Sequence, residues 1–215
     1  MTITFKGAQL TLCGSPLHAG ERMPGFVLID QDLKEVDSRK LSGTRIFLTV
    51  PSLDTGVCDQ EVRRFNQAAA DLPGVSIYAV SLDLPFAQSR WCGAAGVNAV
   101  RTLSDYRDHS FGRSTATRIN ELGLLTRAVF VVDAGNKIAY AEYVPEVTNH
   151  PDYDAAPLRC QKTDRPSELI NASIEDMLSQ ANKSSGVTFF CNPAAFLSVG
   201  IFRRIFKAGR RLALH

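Results

Sequence analysis

Two apolar runs, separated by a stretch with helical periodicity, constrain the fold of this chain more than any other feature. TRIFLTV (44–50) and VSIYAVS (75–81) are almost uninterrupted by polar residues, as strands are when both faces of a sheet are covered. Between them Val62, Phe65 and Leu72 fall on one helical face. A strand, a helix and a second strand in this order predict a parallel βαβ unit, and therefore a protein of the α/β class.

Shorter segments on either side of this unit predict the rest of the topology. They are a hairpin around Lys6-Gly7, a strand pair over 26–36, a helix over 85–96, a strand over 100–105 and a hairpin over 127–144. The whole order is a βαβ core with an antiparallel finish and one more helix. This is the layout of the thioredoxin-like fold.

Charge is distributed unevenly along the chain. The net charge of +2 gives no case for nucleic-acid binding. Residues 1–160 hold 16 Lys and Arg against 18 Asp and Glu, whereas residues 161–215 hold 8 against 4. The end of the chain is therefore basic and the body is not.

The cysteine content indicates a reducing compartment. The five cysteines are Cys13, Cys58, Cys92, Cys160 and Cys191. An odd number at wide spacing is not typical of a secreted disulfide scaffold, and no Cys and His spacing resembles a zinc site. The N-terminus lacks the continuous apolar core of a signal peptide. We therefore expect a cytoplasmic protein, in which a disulfide is transient and serves redox chemistry.

The loop PSLDTGVC (51–58) places Cys58 where the predicted helix begins. Unpaired backbone N–H groups and the helix dipole favour a thiolate there, which is the reactive form of cysteine. Thr55 lies three residues earlier, so its hydroxyl can donate to the sulfur, and Pro51 shields the approach and lacks a competing N–H. The position alone leaves one alternative open, a buried and inert cysteine.

Four strings, in order and at family spacing, closely resemble the bacterial thiol peroxidases, the atypical two-cysteine peroxiredoxins. They are PSLDTGVC (51–58), DLPFAQSRWCG (83–93), TRAVFVVD (126–133) and VPEVTNHPDYDAA (144–156). The first contains the peroxiredoxin signature P-x-x-x-T-x-x-C over Pro51, Thr55 and Cys58. The resemblance covers about residues 2–156.

The resemblance implies a thioredoxin-like fold with an extra N-terminal β-hairpin, and a peroxidase that needs no bound cofactor. Cys58 would be the peroxidatic cysteine, oxidised to a sulfenic acid by hydrogen peroxide or by an organic or lipid hydroperoxide. Cys92 would be the resolving cysteine, and the resulting intrachain Cys58–Cys92 disulfide would be reduced by thioredoxin. Members of this family are homodimers.

Arg127 matches the active-site arginine of the family. A guanidinium near Cys58 would hold the thiolate and the charge that develops on the leaving oxygen, without changing its own protonation. From the residues alone, the simpler interpretation of Arg127 is a solvated charge at the end of a strand.

The spacing of Cys58 and Cys92 predicts a conformational change. The two cysteines are 34 positions apart, which excludes a C-x-x-C dithiol. They are predicted on different helices, so at least one helix end must unwind before the sulfurs meet. We expect the reduced and oxidised states to differ around residues 55–62 and 88–96.

Residues 161–215 lie beyond the resemblance and are predicted to form a C-terminal extension to a thiol peroxidase domain over residues 1–160. Pro157 is expected to interrupt the last helix of the family. An amphipathic helix is predicted over 166–181, and a basic amphipathic helix over 196–215 is suited to weak association with an anionic membrane surface. A disordered basic tail, or a helix packed on a partner subunit, is the alternative for that last segment.

Other functions are compatible with single features of the chain. A general thiol–disulfide oxidoreductase would carry a second cysteine where Thr55 stands. A redox sensor or scaffold would not need Thr55, Cys92 and Arg127 together, and Cys92 disfavours a one-cysteine mechanism with an external thiol. Of the remaining cysteines, Cys13 is expected to pack in the N-terminal hairpin and Cys160 to be an unremarkable thiol of the tail.

Overall fold

A seven-stranded mixed sheet with helices on both faces forms the centre of the computed structural model, which describes residues 2–163. In chain order the elements are β1 (Ile3–Phe5), β2 (Ala8–Leu10), β3 (Val27–Ile29), β4 (Glu35–Asp37), β5 (Arg45–Thr49), α1 (Gly56–Ala68), β6 (Ser76–Ser81), α2 (Pro85–Ala95), β7 (Val100–Ser104), α3 (Ser110–Ser114), β8 (Ala128–Val132), β9 (Ile138–Tyr143) and α4 (Ala155–Thr163). Short 3-10 turns cover Ser38–Lys40 and Ala69–Asp71.

The strand order is β4-β3-β7-β6-β5-β8-β9, with β1 and β2 in a separate hairpin. β5 pairs in parallel with β6, and β6 with β7, while β8 and β9 complete one side in antiparallel fashion. Every residue of β5 is buried, because elements cover both faces of the sheet. The predicted α/β class and the N-terminal hairpin are confirmed. The predicted elements occur in the predicted order, but the short helix α3 between β7 and β8 was not predicted.

The two faces of the sheet carry separate apolar clusters. Ile46 and Leu48 of β5 point to the face covered by α1, α2 and α4, whereas Phe47 between them points to the face covered by α3. On the first face, α1 contributes Val62 and Phe65, both fully buried. Burial of each such side chain stabilises the fold by about 1.5–3 kcal/mol. The periodicity of the sequence therefore identified the packed face of α1 correctly.

Two sequence expectations about the ends of the domain are wrong, and the predicted packing of Cys13 in the N-terminal hairpin stays a prediction. Pro157 does not interrupt α4, since it is the third residue of that helix and first-turn N–H groups have no acceptor within the helix. Cys160 is not a tail residue: it is fully buried in the apolar cluster that also contains Cys58. Cys13 contacts residues outside the hairpin, with its sulfur donating to the carbonyl of Gly112 at 3.2 Å.

The helix over 166–181, the basic segment 196–215 and Cys191 lie outside the described residues, and the boundary at residue 160 stays a prediction. Within residues 2–163, no helix is long and apolar enough to cross a membrane.

Candidate active site

The loop between β5 and α1 is fastened to the end of the neighbouring strand β6. Asp83 accepts hydrogen bonds from Ser52 Oγ and from the backbone N–H of Leu53, both at 2.8 Å. Ser81 Oγ donates to the same carboxylate at 2.8 Å. Pro51, which begins the loop, is buried. One carboxylate therefore fixes the path of the chain that leads to Cys58, and the sequence analysis did not identify it.

Cys58 is the third residue of α1 and is fully buried. Thr55, which precedes the helix in an extended conformation, places its Oγ1 2.7 Å from the sulfur and 3.2 Å from the carbonyl of Ser52. A hydroxyl has one proton to donate, and the sulfur is the nearer acceptor. The predicted contact between Thr55 and Cys58 is therefore present.

Strand pairing brings Arg127 to the same sulfur. Thr49, the last residue of β5, pairs with Ala128, so Arg127 lies beside the start of the loop that follows β5. Its Nη2 donates to Cys58 Sγ at 3.3 Å and its Nε donates to the carbonyl of Val147 at 3.1 Å. Only 1% of Arg127 is exposed. The alternative of a solvated strand-end charge is therefore excluded.

Glu61 is a buried acid that completes the charge arrangement. Its carboxylate pairs with Nη1 of Arg127, and it lies three residues after Cys58 on the buried face of α1. Burial raises the pKa of Glu61 to about 7, against the opposing attraction of Arg127. Its Oε1 has no hydrogen-bond partner among the residues that the structure describes. An acid within the apolar stripe of a helix was visible in the sequence, but it was not recognised there.

Comparisons with known proteins agree with this arrangement. The Redoxin family model matches residues 18–156. The thiol peroxidase of Clostridium acetobutylicum is 54% identical over 154 residues, which cover 72% of this chain and 94% of that protein. The chain belongs to the thiol peroxidase family. The thiol peroxidase of Bacillus subtilis is 50% identical over 153 residues, covering 71% of this chain and 92% of that protein.

Solved structures extend the comparison to the fold. A peroxiredoxin-like protein from Aquifex aeolicus is 37% identical, with a TM-score of 0.70 over 75% of this chain and 96% of that chain. The thiol peroxidase from Chromobacterium violaceum has a TM-score of 0.71 over 78% of this chain and 99% of that chain, and at 20% identity it shows the shared fold alone. This member of the thiol peroxidase family is accordingly a peroxidase with a thioredoxin-like fold, as the resemblance implied.

Cys92, the second cysteine singled out in this thiol peroxidase sequence, lies apart from Cys58. It is buried in α2, where Gln31 Nε2 lies 3.3 Å from its sulfur and Thr102 Oγ1 lies 3.6 Å from it. Thr102 belongs to β7, whereas Arg127, which contacts Cys58, directly precedes β8. These two strands are three positions apart in the sheet, which corresponds to about 14 Å. Both cysteines are free thiols in this structure.

The structure thus places Pro51, Thr55, Cys58 and Arg127 at one end of β5 and leaves Cys92 outside that group. Glu61 and Asp83 join the group as residues that the sequence analysis missed. The arrangement offers a buried sulfur with two donors, one of them a fixed positive charge, which suits the stabilisation of a thiolate.

Proposed function

We propose that this peroxidase reduces hydrogen peroxide and organic or lipid hydroperoxides through Cys58, with Cys92 as resolving cysteine and thioredoxin as reductant. The observation that supports it best is the pair of donors on the Cys58 sulfur, from Thr55 at 2.7 Å and from Arg127 at 3.3 Å. An inert structural cysteine has no need of a buried guanidinium directed at its sulfur, because burying that charge is costly.

In the first step the Cys58 thiolate attacks one oxygen of the peroxide and the O–O bond breaks. The sulfur gains that oxygen and becomes a sulfenic acid, while the other oxygen leaves as hydroxide or alkoxide and takes up a proton. Arg127 and Thr55 stabilise the negative charge before and during the transfer, around a sulfur that is itself fully buried. Pro51 closes the loop side of the site without adding a competing N–H.

In the second step the Cys92 thiol loses its proton and its sulfur attacks the Cys58 sulfenic sulfur. The S–O bond breaks, the disulfide bond forms, and the hydroxide leaves with that proton as water. Disulfide geometry requires Cα atoms about 4.4–6.8 Å apart, so Cys92 must leave its contacts with Gln31 and Thr102. Local unwinding around residues 55–62 and 88–96 supplies this movement in the proposed cycle.

In the third step a dithiol reductant of the thioredoxin type attacks the disulfide and is itself oxidised, which returns both cysteines to thiols. The cycle needs no bound cofactor. We further propose that the enzyme is a homodimer and acts in the cytoplasm.

The test is peroxide reduction coupled to NADPH through thioredoxin reductase and thioredoxin. Wild type, Cys58→Ser, Cys92→Ser and the control Cys13→Ser are compared at equal concentration. We expect turnover in wild type and Cys13→Ser and none in the other two. In a single turnover without reductant, Cys92→Ser is still expected to consume one equivalent of peroxide and Cys58→Ser none.

Other outcomes would contradict separate parts of the proposal. Turnover in Cys58→Ser would reject the peroxidatic role, and turnover in Cys92→Ser would mean that another thiol resolves. Single-turnover consumption without NADPH oxidation in wild type would reject thioredoxin as the reductant while leaving the first two steps in place.

A further inference from the structure

The residues next to the two proposed redox cysteines are joined to each other. Asp59 directly follows Cys58 in α1, and Trp91 directly precedes Cys92 in α2. The indole Nε1 of Trp91 donates to Asp59 Oδ1 at 3.1 Å. This hydrogen bond connects the start of α1 to the segment of α2 that carries Cys92.

Arg63 adds two further connections between the helices. Its Nε lies 2.9 Å from both carboxylate oxygens of Asp59, one turn earlier in α1. Its Nη1 donates to the carbonyl of Ala95, the last residue of α2, at 2.7 Å. Its guanidinium carbon also lies 5.8 Å from the centre of the Trp91 ring, within the range of a cation–π contact. Asp59, Arg63 and Trp91 are called the interhelix cluster below.

The interhelix cluster spans the two segments that the proposed cycle requires to move. The Cys58 sulfur contacts Arg127, which directly precedes β8, whereas the Cys92 sulfur lies against Gln31 and against Thr102 of β7. Strands β6 and β5 lie between β7 and β8 in the sheet. The hydrogen bond from Trp91 to Asp59 joins these two segments at residues adjacent to the cysteines, so local unwinding at either cysteine strains or breaks it.

In the closed arrangement the contacts of the interhelix cluster are intact, and in the opened arrangement they are broken. We propose that Asp59 and Trp91 are positioning residues that hold the closed arrangement during peroxide reduction. Breaking the hydrogen bond between them then sets the rate of disulfide formation. This inference rests on the proposed function, specifically on the Cys58–Cys92 disulfide. Peroxide reduction uses the closed arrangement, in which Thr55 and Arg127 contact the Cys58 sulfur. Disulfide formation uses the opened arrangement, whose population the interhelix cluster lowers.

The cluster also controls a competition for the sulfenic acid. In the closed arrangement a second peroxide can transfer an oxygen to the Cys58 sulfenate, which yields a sulfinic acid and water or an alcohol. In the opened arrangement Cys92 reaches the sulfenic sulfur first. Weakening the cluster therefore speeds disulfide formation and lowers the fraction of enzyme lost as sulfinic acid.

The experiment uses the full chain and three variants, Asp59→Ala, Trp91→Phe and their combination. Asp37→Ala is the matched control, since Asp37 also accepts from an arginine Nε at 2.9 Å but lies at the end of edge strand β4. Disulfide formation after rapid mixing with hydrogen peroxide is followed by quenching, thiol alkylation and mass spectrometry. Trp91 is the only tryptophan, so its fluorescence is lost in two of the variants and cannot serve as the readout.

We expect disulfide formation to be on the order of fivefold faster in each single variant, as loss of one ordinary, partly exposed hydrogen bond would produce. The double variant should be no faster than about the quicker single variant, because both changes remove the same contact. The rate constant for oxidation of Cys58, measured by competition with a haem peroxidase, should stay within about twofold of wild type. The sulfinic fraction at a fixed peroxide excess should fall about fivefold.

Two results separate this proposal from the one on which it depends. If the Cys58–Cys92 disulfide forms in Asp59→Ala and Trp91→Phe at the same rate as in wild type, the positioning role alone is overturned. Absence of a Cys58–Cys92 disulfide in oxidised wild type overturns the proposed function and this inference with it. An equal acceleration in Asp37→Ala would also reject the inference, since it would reflect general destabilisation.

Discussion

The guanidinium of Arg127 donates to the sulfur of Cys58 at 3.3 Å, although 69 positions separate the two residues in the sequence. The pairing of β5 with β8 produces this contact, since it ends at Thr49 and Ala128 and so places Arg127 beside the loop that leads to Cys58. An arginine stays charged throughout the ordinary pH range, so the sulfur faces a permanent positive charge.

Replacement of Arg127 by glutamine should slow oxidation of Cys58 by peroxide about 100-fold, the usual effect of removing one donor from a site of developing negative charge. The same change leaves Glu61 buried without its partner, which costs about 3–5 kcal/mol in stability. The double variant Arg127→Gln/Glu61→Gln separates the two effects. We expect it to recover most of the free energy of unfolding but not the rate constant, as measured by denaturant unfolding and stopped-flow kinetics. Recovery of the rate would show that Arg127 acts only by supporting the fold.

The titration of Glu61 should appear in the stability of the protein. Its pKa is about 7 in the folded state, where burial dominates, against a reference value of 4.5. Between these two pH values the folded state binds more protons than the unfolded chain, so the free energy of unfolding falls as the pH rises. The total change in the free energy of unfolding across this pH window is on the order of 3 kcal/mol.

The measurement is denaturant unfolding of wild type and Glu61→Gln from pH 4 to pH 9. The difference between the two, wild type minus variant, should decline between about pH 4.5 and pH 7 and be level above and below that window. A difference that rises with pH would mean that the attraction of Arg127 outweighs burial at this carboxyl.

We expect the Thr55 hydroxyl to affect the rate of peroxide reduction by donating a hydrogen bond and not by filling space. Thr55→Val keeps the shape of the side chain but removes the donor 2.7 Å from the Cys58 sulfur. We expect the rate constant for peroxide to fall about tenfold, as loss of one hydrogen bond to a charged acceptor predicts. Thr55→Ser, which restores the hydroxyl, should return most of the rate. Equal rates in the two variants would exclude hydrogen bonding as the role of Thr55.

Sequence reasoning identified the residues whose placement depends on local pattern. Cys58 lies at a helix start because a buried strand, a loop and an amphipathic helix follow one another, and each of these is visible in the residues. The contact of Arg127 with Cys58 was instead predicted from the family resemblance, because no local sequence pattern indicates which strand pairs with β5. The roles of these residues stay predictions until the kinetics are measured.

The residues that sequence reasoning missed are those whose role depends on tertiary contact. Asp83 follows β6, and only the parallel pairing of β5 with β6 brings its carboxylate to Ser52 and Leu53. From the sequence, Glu61 resembles an ordinary acidic residue of a helix. Only the structure shows that it lies on the buried face of α1. The prediction about Pro157 was wrong for a local reason. Whether a proline interrupts a helix depends on how many residues of that helix precede it, and the sequence did not show where α4 begins.

Asp83 provides the last prediction, which concerns the loop before Cys58. Asp83→Ala removes the acceptor for three hydrogen bonds, from Ser52 Oγ, Leu53 N and Ser81 Oγ, and should lower the free energy of unfolding by about 3 kcal/mol. The peroxide rate constant should fall at least about tenfold as well, because a misplaced loop no longer holds Thr55 against the sulfur. Asp133→Ala is the control, since Asp133 accepts from the backbone N–H of Lys137 in the β8–β9 turn, at the far end of β8 from Arg127. Its stability should drop while its rate constant stays near that of wild type, and a parallel loss of rate in both variants would contradict a specific role for Asp83.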